Sequence, residues 1–261
     1  MAETKKRFNR VLLKLSGEAI AKKYTDDEGK ERIDEIFDPE ILVKIADVIK
    51  RLVEDGIEVG IVIGGGNIWR GAYGKGVKRA RADQMGMLAT MMNCLRLEDA
   101  IEKAGIPVTV MTAVGMNGFA EQYNFRTAVE YLKSGKVVIF GAGLGIPFIT
   151  TDTTVVVRGA EIGADVILCA KNIDGIYTRD PRDENGEIDP SVPRYKVISY
   201  EECMEKGLKA TDVSASALAK EQKIDMYVFA LSDPENIIRA VNGEEIGTLV
   251  THDSTVASET Y

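Results

Sequence analysis

Six short β-prone runs are strung along the chain with helical patterns between them: RVLLKL (10–15), IEVGIVI (57–63), IPVTVM (106–111), KVVIF (136–140), DVILCA (165–170) and DMYVFA (225–230). Apolar runs of this length fit strands buried on both faces. The stretch at about 39–54 puts Ile41, Leu42, Ile45, Ile49, Leu52 and Val53 on one helical face, opens on Asp38-Pro39 as cap and first residue, and stops before Gly56. SDPENIIRAV (232–241) repeats the Asp-Pro start. Strand, helix, strand over the whole length predicts an α/β fold with a mostly parallel sheet covered on both faces. At 261 residues the chain is near the upper size for one hydrophobic core, and no repeat or linker divides it, so a single domain over 1–261 is expected. The charged KKYTDDEGKERIDE (22–35) and turn-rich TRDPRDENGEIDPSVPR (178–194) read as surface excursions, and residues 251–261 as a flexible tail.

Composition removes several classes of function. A formal charge of −8 argues against a binder of nucleic acid polymers, whose affinity comes from clustered Lys and Arg. No segment has the roughly 18 uninterrupted apolar residues of a membrane span, and the N-terminus shows no signal-peptide core, so a cytoplasmic protein without a membrane partner is expected. Cys94, Cys169 and Cys203 are widely spaced without a CxxC, which predicts buried thiols. The only histidine, His252, lies in the polar THDSTVASET, so neither a His-dependent triad nor a His-rich metal site can be built, and no dedicated protein metal site is expected.

Three glycine-bearing loops follow strands: SGE (16–18), GGGN (64–67) and GAGLG (141–145). In parallel sheets ligands bind beyond the carboxyl ends of the strands, so these loops should share one rim with Lys14, Arg70 and the TTDTT helix start at 150–154. Each glycine costs roughly 0.5–1 kcal/mol relative to alanine. Gly64, Gly65 and Gly66 therefore mark either a plain turn or a close approach, in which successive N–H groups form an anion nest beside the Arg70 fork. The convergence favours phosphate. No GxxxxGK[ST] is present, and GAGLGI carries Ile146 where GxGxxG has its last glycine. Asp83 follows Gly64 by 19 residues but begins a helix instead of ending a second strand, a poor fit to a dinucleotide fold.

KLSGEA (14–19), VIGGGNIWRG (62–71), DQMGMLATMMN (83–93), PFITTDTT (147–154), IDGIYTRDP (173–181) and EEIGTLV (244–250) together resemble the bacterial uridylate (UMP) kinases of the amino acid kinase superfamily, in order from about residue 8 to 250. The resemblance implies a three-layer αβα sandwich, usually a homohexamer, that transfers a phosphoryl group from Mg·ATP to UMP in pyrimidine nucleotide biosynthesis. By position it assigns Lys14, Leu15, Ser16, Gly17, Gly66, Arg70, Tyr177 and Asp180 to ATP, with Lys171 or Asn172 near adenine. It assigns Gly65, Asp83, Leu144, Gly145, Ile146, Pro147, Phe148, Ile149, Thr150 and Thr151 to UMP, Asp83 through the ribose hydroxyls. The N-terminal half would then serve mainly the acceptor and the C-terminal half mainly ATP.

The chemistry is compatible with these residue types. A phosphate monoester has a second pKa of roughly 6 and is largely dianionic at neutral pH, so no general base is required. Charge cancellation and alignment are required instead. Lys14 is either a solvated strand end or a point charge on the transferred phosphoryl group, and Arg70 can bridge donor and acceptor. Asp152 is either a helix cap or a group that orients a lysine or holds Mg²⁺ through water. Asp212, in KATDVSAS, either caps a helix or, by resemblance, helps to orient Lys14; Asp83 likewise has a capping alternative. Met85, Met87, Met91 and Met92 read as core or subunit packing.

Departures also matter. Leu144 and Ile146 replace the Thr and Asn of a GTGNP-like loop, which removes two polar contacts to the pyrimidine nucleotide. The charged 22–35 segment replaces the glycine-containing stretch associated with GTP regulation, so no GTP activation is expected. Two other readings are a relative acting on a small carboxylate or carbamate, and a nucleotide-binding regulator without turnover.

Overall fold

The computed structural model describes residues 8–26, 29, 31–69, 76–182, 188–208 and 211–261. β1 (Arg10–Leu15) leads through a 3-10 turn into the hairpin β2 (Lys22–Thr25) and β3 (Glu31–Glu35), then α1 (Pro39–Glu54) and β4 (Glu58–Ile63). Next come α2 (Arg79–Lys103), β5 (Val108–Thr112), β6 (Glu121–Gln122), α3 (Phe125–Lys133) and β7 (Val137–Gly141). The second half holds α4 (Thr151–Ile162), β8 (Val166–Lys171), β9 (Tyr195–Ser199), α5 (Tyr200–Glu205), α6 (Val213–Gln222), β10 (Asp225–Ala230), α7 (Glu235–Val241), β11 (Thr248–Thr251) and β12 (Glu259–Thr260).

One sheet of ten strands, among the described residues, runs β12-β9-β11-β10-β8-β1-β4-β7-β5-β6. Its pairings are parallel except β10 with β11 and β9 with β12. From β1 the chain adds β4, places β5 and β6 further out, inserts β7 between β4 and β5, then returns to add β8 and β10 on the other side. The strand order therefore reverses at β1, where an α/β sheet opens a crevice for ligands.

Period-two alternation sorts the core. Val11, Leu13 and Leu15 pack with Leu42 and Ile45 of α1, Leu97 of α2 and Ile237 of α7. Leu12 faces the other way, with Phe140, Leu132 of α3, Val155 of α4 and Ala215 of α6. The result is the expected three-layer sandwich. Lys14 shares the parity of Leu12, so it emerges on the α4 side.

Local signals hold where capping chemistry is explicit. The Asp38 carboxylate accepts from the Glu40 and Ile41 amides at the start of α1, and Gly56 follows its end with φ +73°. At α7 Asp233 Oδ1 accepts from the Glu235 amide at 3.0 Å. Within the charged 22–35 stretch β2 and β3 pair antiparallel, and all three cysteines are buried and free. No described helix is long and apolar enough to cross a membrane.

The C-terminal segment departs from the expected tail. Glu259–Thr260 pair with β9, and the Tyr261 hydroxyl donates to the Glu245 and Gly247 carbonyls while Arg194 lies 4.3 Å from its ring centroid. His252 Nδ1 meets Asp225 Oδ1 at 2.7 Å. Polar composition concealed this docking because it rests on backbone carbonyls and one terminal aromatic ring.

Candidate active site

Register brings the glycine loops together. Leu15 stands opposite Ile63 and Val62 opposite Phe140, so the segments after β1, β4 and β7 leave from one row, with Ala170 of β8 opposite Leu15 on its other side. The Gly64 amide donates to the Leu15 carbonyl at 3.0 Å, and Gly64 would carry a Cβ 3.7 Å from Thr151 Oγ1 at the start of α4. A Cβ on Gly17 would sit 2.6 Å from the Gly64 oxygen and 2.9 Å from the Gly66 nitrogen. One on Gly65 would sit 2.8 Å from Ala89 Cβ and 3.0 Å from the Gly86 oxygen. Gly64, Gly65 and Gly66 all keep φ out of the left-handed region. Close approach is therefore what Gly65 and Gly17 serve, to α2 and to the glycine loop respectively, without the alternating handedness of a backbone nest.

Lys14 Nζ lies 3.0 Å from Asp152 Oδ1, with both side chains mostly buried. Burial, the largest single influence on Lys14, pulls its pKa down, but Asp152, Cys169 and Asp212 together carry it above the usual lysine value. Burial likewise pushes Asp152 up, yet Lys14 and then Lys171 bring it below the usual carboxylate range. Asp152 does not cap α4. Thr150 does, its Oγ1 accepting from the Thr153 amide at 3.2 Å. Asp212 caps α6 through the Ala215 amide at 2.7 Å and also accepts from the Thr150 and Thr153 hydroxyls. The capping role is therefore present, and the Asp212 charge also favours the charged form of Lys14. The arrangement brings the N-termini of α4 and α6, each with positive dipole potential, side by side, with the α4 end at Lys14.

Beside this pair lies a cavity of about 280 Å³, lined by Gly65, Gly66, Asp83, Leu144, Ile146, Ile149, Thr150 and Thr151 among others. Gly145, Pro147 and Phe148 complete its loop without lining it. Asp83 is not a cap, since α2 begins one turn earlier at Arg79. Its carboxylate takes the Arg79 Nε at 2.8 and 3.0 Å and the Phe148 amide at 2.9 Å, pinning the 141–150 loop to α2. That loop is strained at Ala142 and Phe148, with φ +59° and +70°. Ala142 is held by its amide donating to Thr90 Oγ1 at 3.0 Å. The apolar side chains at 144 and 146 do border the hollow, as the altered motif implied.

Just after β1, the Ser16 hydroxyl is buried without a hydrogen-bond partner among the described residues. Lys171 ends β8 and acts electrostatically on Asp152, whereas Asn172 borders a separate hollow of about 760 Å³ with Glu18, Lys23, Arg182 and Ser232. Tyr177 donates to Asp174 Oδ1 at 2.7 Å, and burial, helped by that contact, pushes its phenol up to about 12. Asp180 Oδ1 accepts from the Arg182 amide at 3.1 Å. Tyr177 and Asp180 border neither hollow. Arg70 lies outside the described residues.

The amino acid kinase family model matches residues 9–230. The chain belongs to the amino acid kinase family. A curated relative, the uridylate kinase of Rhodococcus jostii (strain RHA1), is 46% identical over 245 residues, 93% of this chain and 95% of that one. Among solved structures, the UMP kinase of Bacillus anthracis superposes with a TM-score of 0.86 at 37% identity, covering 97% and 99% of the two chains. The UMP kinase of Ureaplasma parvum gives 0.84 at 31% identity over 94% and 99%. Helices on both faces of a mainly parallel sheet are what this family membership requires, and the resemblance visible in the motifs extends over nearly the whole chain.

Within this family fold, sequence reasoning missed Asn67, Asn93, Thr90 and Arg79. Thr90 and Asn93 sat inside DQMGMLATMMN as polar residues on a helix otherwise rich in Met, which is the signal of a buried polar contact. Arg79 precedes Asp83 by four residues, the spacing of a helical ion pair.

Proposed function

We propose that this protein is a UMP kinase, transferring the γ-phosphoryl group of Mg·ATP to UMP to give UDP and ADP. Supporting this reading are the 46% identity to a uridylate kinase over nearly full length and the fold shared with two UMP kinases. The observation that carries the chemistry is the Lys14–Asp152 pair at 3.0 Å, at the N-terminus of α4 and beside the cleft.

In this assignment Lys14, Leu15, Ser16, Gly17, Gly66, Arg70, Lys171, Asn172, Tyr177 and Asp180 serve ATP. Gly65, Asp83 and residues 144–151 hold UMP. A phosphate oxygen of UMP forms the new bond to the γ-phosphorus as the bond to the β–γ bridging oxygen breaks, leaving ADP. Lys14 meets the charge on the transferred group, and Asp152 keeps that lysine charged and aimed. Backbone N–H groups of the glycine loop and the two helix N-termini oppose the repulsion between the anions. Because the acceptor is already dianionic, none of these residues acts as a base.

ATP-dependent transfer needs a divalent cation. The described residues contain no cluster of three or more His, Cys, Asp or Glu that could cage one. That chemistry suits Mg²⁺, which binds through phosphate oxygens and water with one or two carboxylates. Asp152 is the carboxylate placed to contribute, and the ion would neutralise charge on the bridging phosphates. The homohexamer and the cytoplasmic location implied by the resemblance belong to the same proposal.

Separate incubations with Mg·ATP and UMP, CMP, AMP or GMP test the reading. UMP should be strongly preferred. Preference for another nucleotide, or turnover of acetylglutamate or carbamate without UMP, would overturn it.

A further inference from the structure

Two asparagines form a closed amide pair behind the glycine loop. Asn93, on α2, is fully buried, and Asn67, at the end of GGGN, is 7% exposed. Asn93 Nδ2 donates to the Gly64 carbonyl at 2.6 Å and to Asn67 Oδ1 at 2.7 Å. Asn67 Nδ2 returns a bond to Asn93 Oδ1 at 3.1 Å and donates to the Ile36 carbonyl at 2.9 Å. Backbone carbonyls only accept, so both amide orientations are dictated by their partners. Each amide nitrogen uses both of its hydrogens, which leaves no slack in the arrangement.

The consequence lies in the peptide plane. All described peptide bonds are trans, and in a trans unit C=O and N–H point in opposite directions. Fixing the Gly64 carbonyl on Asn93 therefore aims the Gly65 N–H away from the buried amide. Among the described residues, neither the Gly65 nor the Gly66 N–H donates to another backbone carbonyl, and both glycines line the cleft. The same pair ties three elements together: α2 with its Asp83, the glycine loop, and the end of the 22–35 hairpin at Ile36. Asn67 Oδ1 also fills the space where Gly17 would carry a side chain, which couples the pair to the loop after β1.

We propose that Asn67 and Asn93 are positioning residues: their reciprocal amide pair locks the glycine loop so that the donor-side and acceptor-side backbone keep a fixed separation. The inference rests on the kinase reading for its catalytic consequence, though not for its structural one.

The test compares Asn93→Ala, Asn67→Ala and the double variant with Leu97→Ala, a change in the buried core further along α2. At matched folded fraction, each asparagine variant should lose about tenfold or more in kcat/KM towards both ATP and UMP, since buried acceptors are left unpaired. The double variant should lose no more than the worse single one, as expected of residues acting as one unit. Leu97→Ala should stay within about twofold after the same correction, because its loss is one of core packing. Hydrogen exchange supplies a readout independent of turnover. The amides of Gly64, Ile68 and Trp69, which are hydrogen-bonded in the wild-type loop, should exchange faster in Asn93→Ala while those of β5 and β8 do not. Additive kinetic losses, losses matched by Leu97→Ala, or unchanged loop exchange would overturn the proposal. If Asn93→Ala does not fold, Asn67→Ala carries the same readouts. A wild type inactive towards UMP would sink the kinase reading instead, leaving the exchange result to decide the lock.

Discussion

Lys14, one residue from the end of β1, meets Asp152 in the first turn of α4 across 3.0 Å, so the central strand and a helix N-terminus share one ion pair. Removing either partner should damage catalysis. Lys14→Met should lower kcat by about 10²-fold or more, the scale for losing one preorganised electrostatic group. Steady-state kinetics at saturating ATP and UMP check this, and a kcat within tenfold of wild type would make Lys14 peripheral.

The pair also sets a pH dependence of stability. Asp152 has a lowered pKa, so its contribution is present above the unfolded carboxylate value of about 3.9 and is lost as pH falls through its folded value. Lys14 has a raised pKa, so its contribution is present below about 10.4 and is lost as pH rises through its folded value. The stability gap between wild type and Asp152→Asn should be steady from about pH 5 to 9 and shrink on the acid side. Denaturant titrations across that range measure it; a gap that persists unchanged to pH 3 contradicts the assignment.

Adjacent glycines should differ sharply. Gly65→Ala puts a methyl 2.8 Å from Ala89 Cβ, whereas Gly64→Ala meets nothing nearer than 3.5 Å. Overpacking at Gly65 should cost about 1–3 kcal/mol, with little loss at Gly64. Comparable destabilisation of both would point to a shared backbone requirement instead of close approach.

Asp83 should separate the substrates. Asp83→Ala frees both Arg79 and the Phe148 amide and should raise the KM for UMP well above its effect on the KM for ATP. Arg79→Ala removes only a half-exposed partner and should change stability by about 0–1 kcal/mol. Equal KM changes for the two nucleotides would remove Asp83 from the acceptor side.

Truncation after Thr251 tests the docked terminus. Losing β12, the His252–Asp225 contact and the Tyr261 hydroxyl bonds should lower stability by about 1–3 kcal/mol in thermal unfolding. An unchanged Tm would restore the flexible-tail reading.

What was legible in the sequence followed from local rules. The core strands announce themselves as β-branched runs, α1 by Asp38-Pro39 and Gly56, and Lys14 by its place beside LSG. Contacts that depend on two distant segments were not legible. Nothing local to Asn67 shows that Asn93 lies opposite, nor that Asp212 would receive the Thr150 hydroxyl. The tail failed for the same reason, since Tyr261 finds its carbonyl acceptors only once β11 is in place. Close approach was one of the two readings open for the glycine run, and it is found at Gly65 without left-handed backbone; which neighbour comes close, Ala89 of α2, was not legible.

The most direct measurement is product analysis of one reaction containing Mg·ATP and equimolar UMP, CMP, AMP and GMP, run beside Lys14→Met. UDP should be the dominant diphosphate formed from these acceptors, matched by an equal amount of ADP in excess of any made from AMP, and both should fade in the variant. Equal yields of several diphosphates, or UDP formed undiminished without Lys14, would contradict a UMP-selective transfer centred on that lysine.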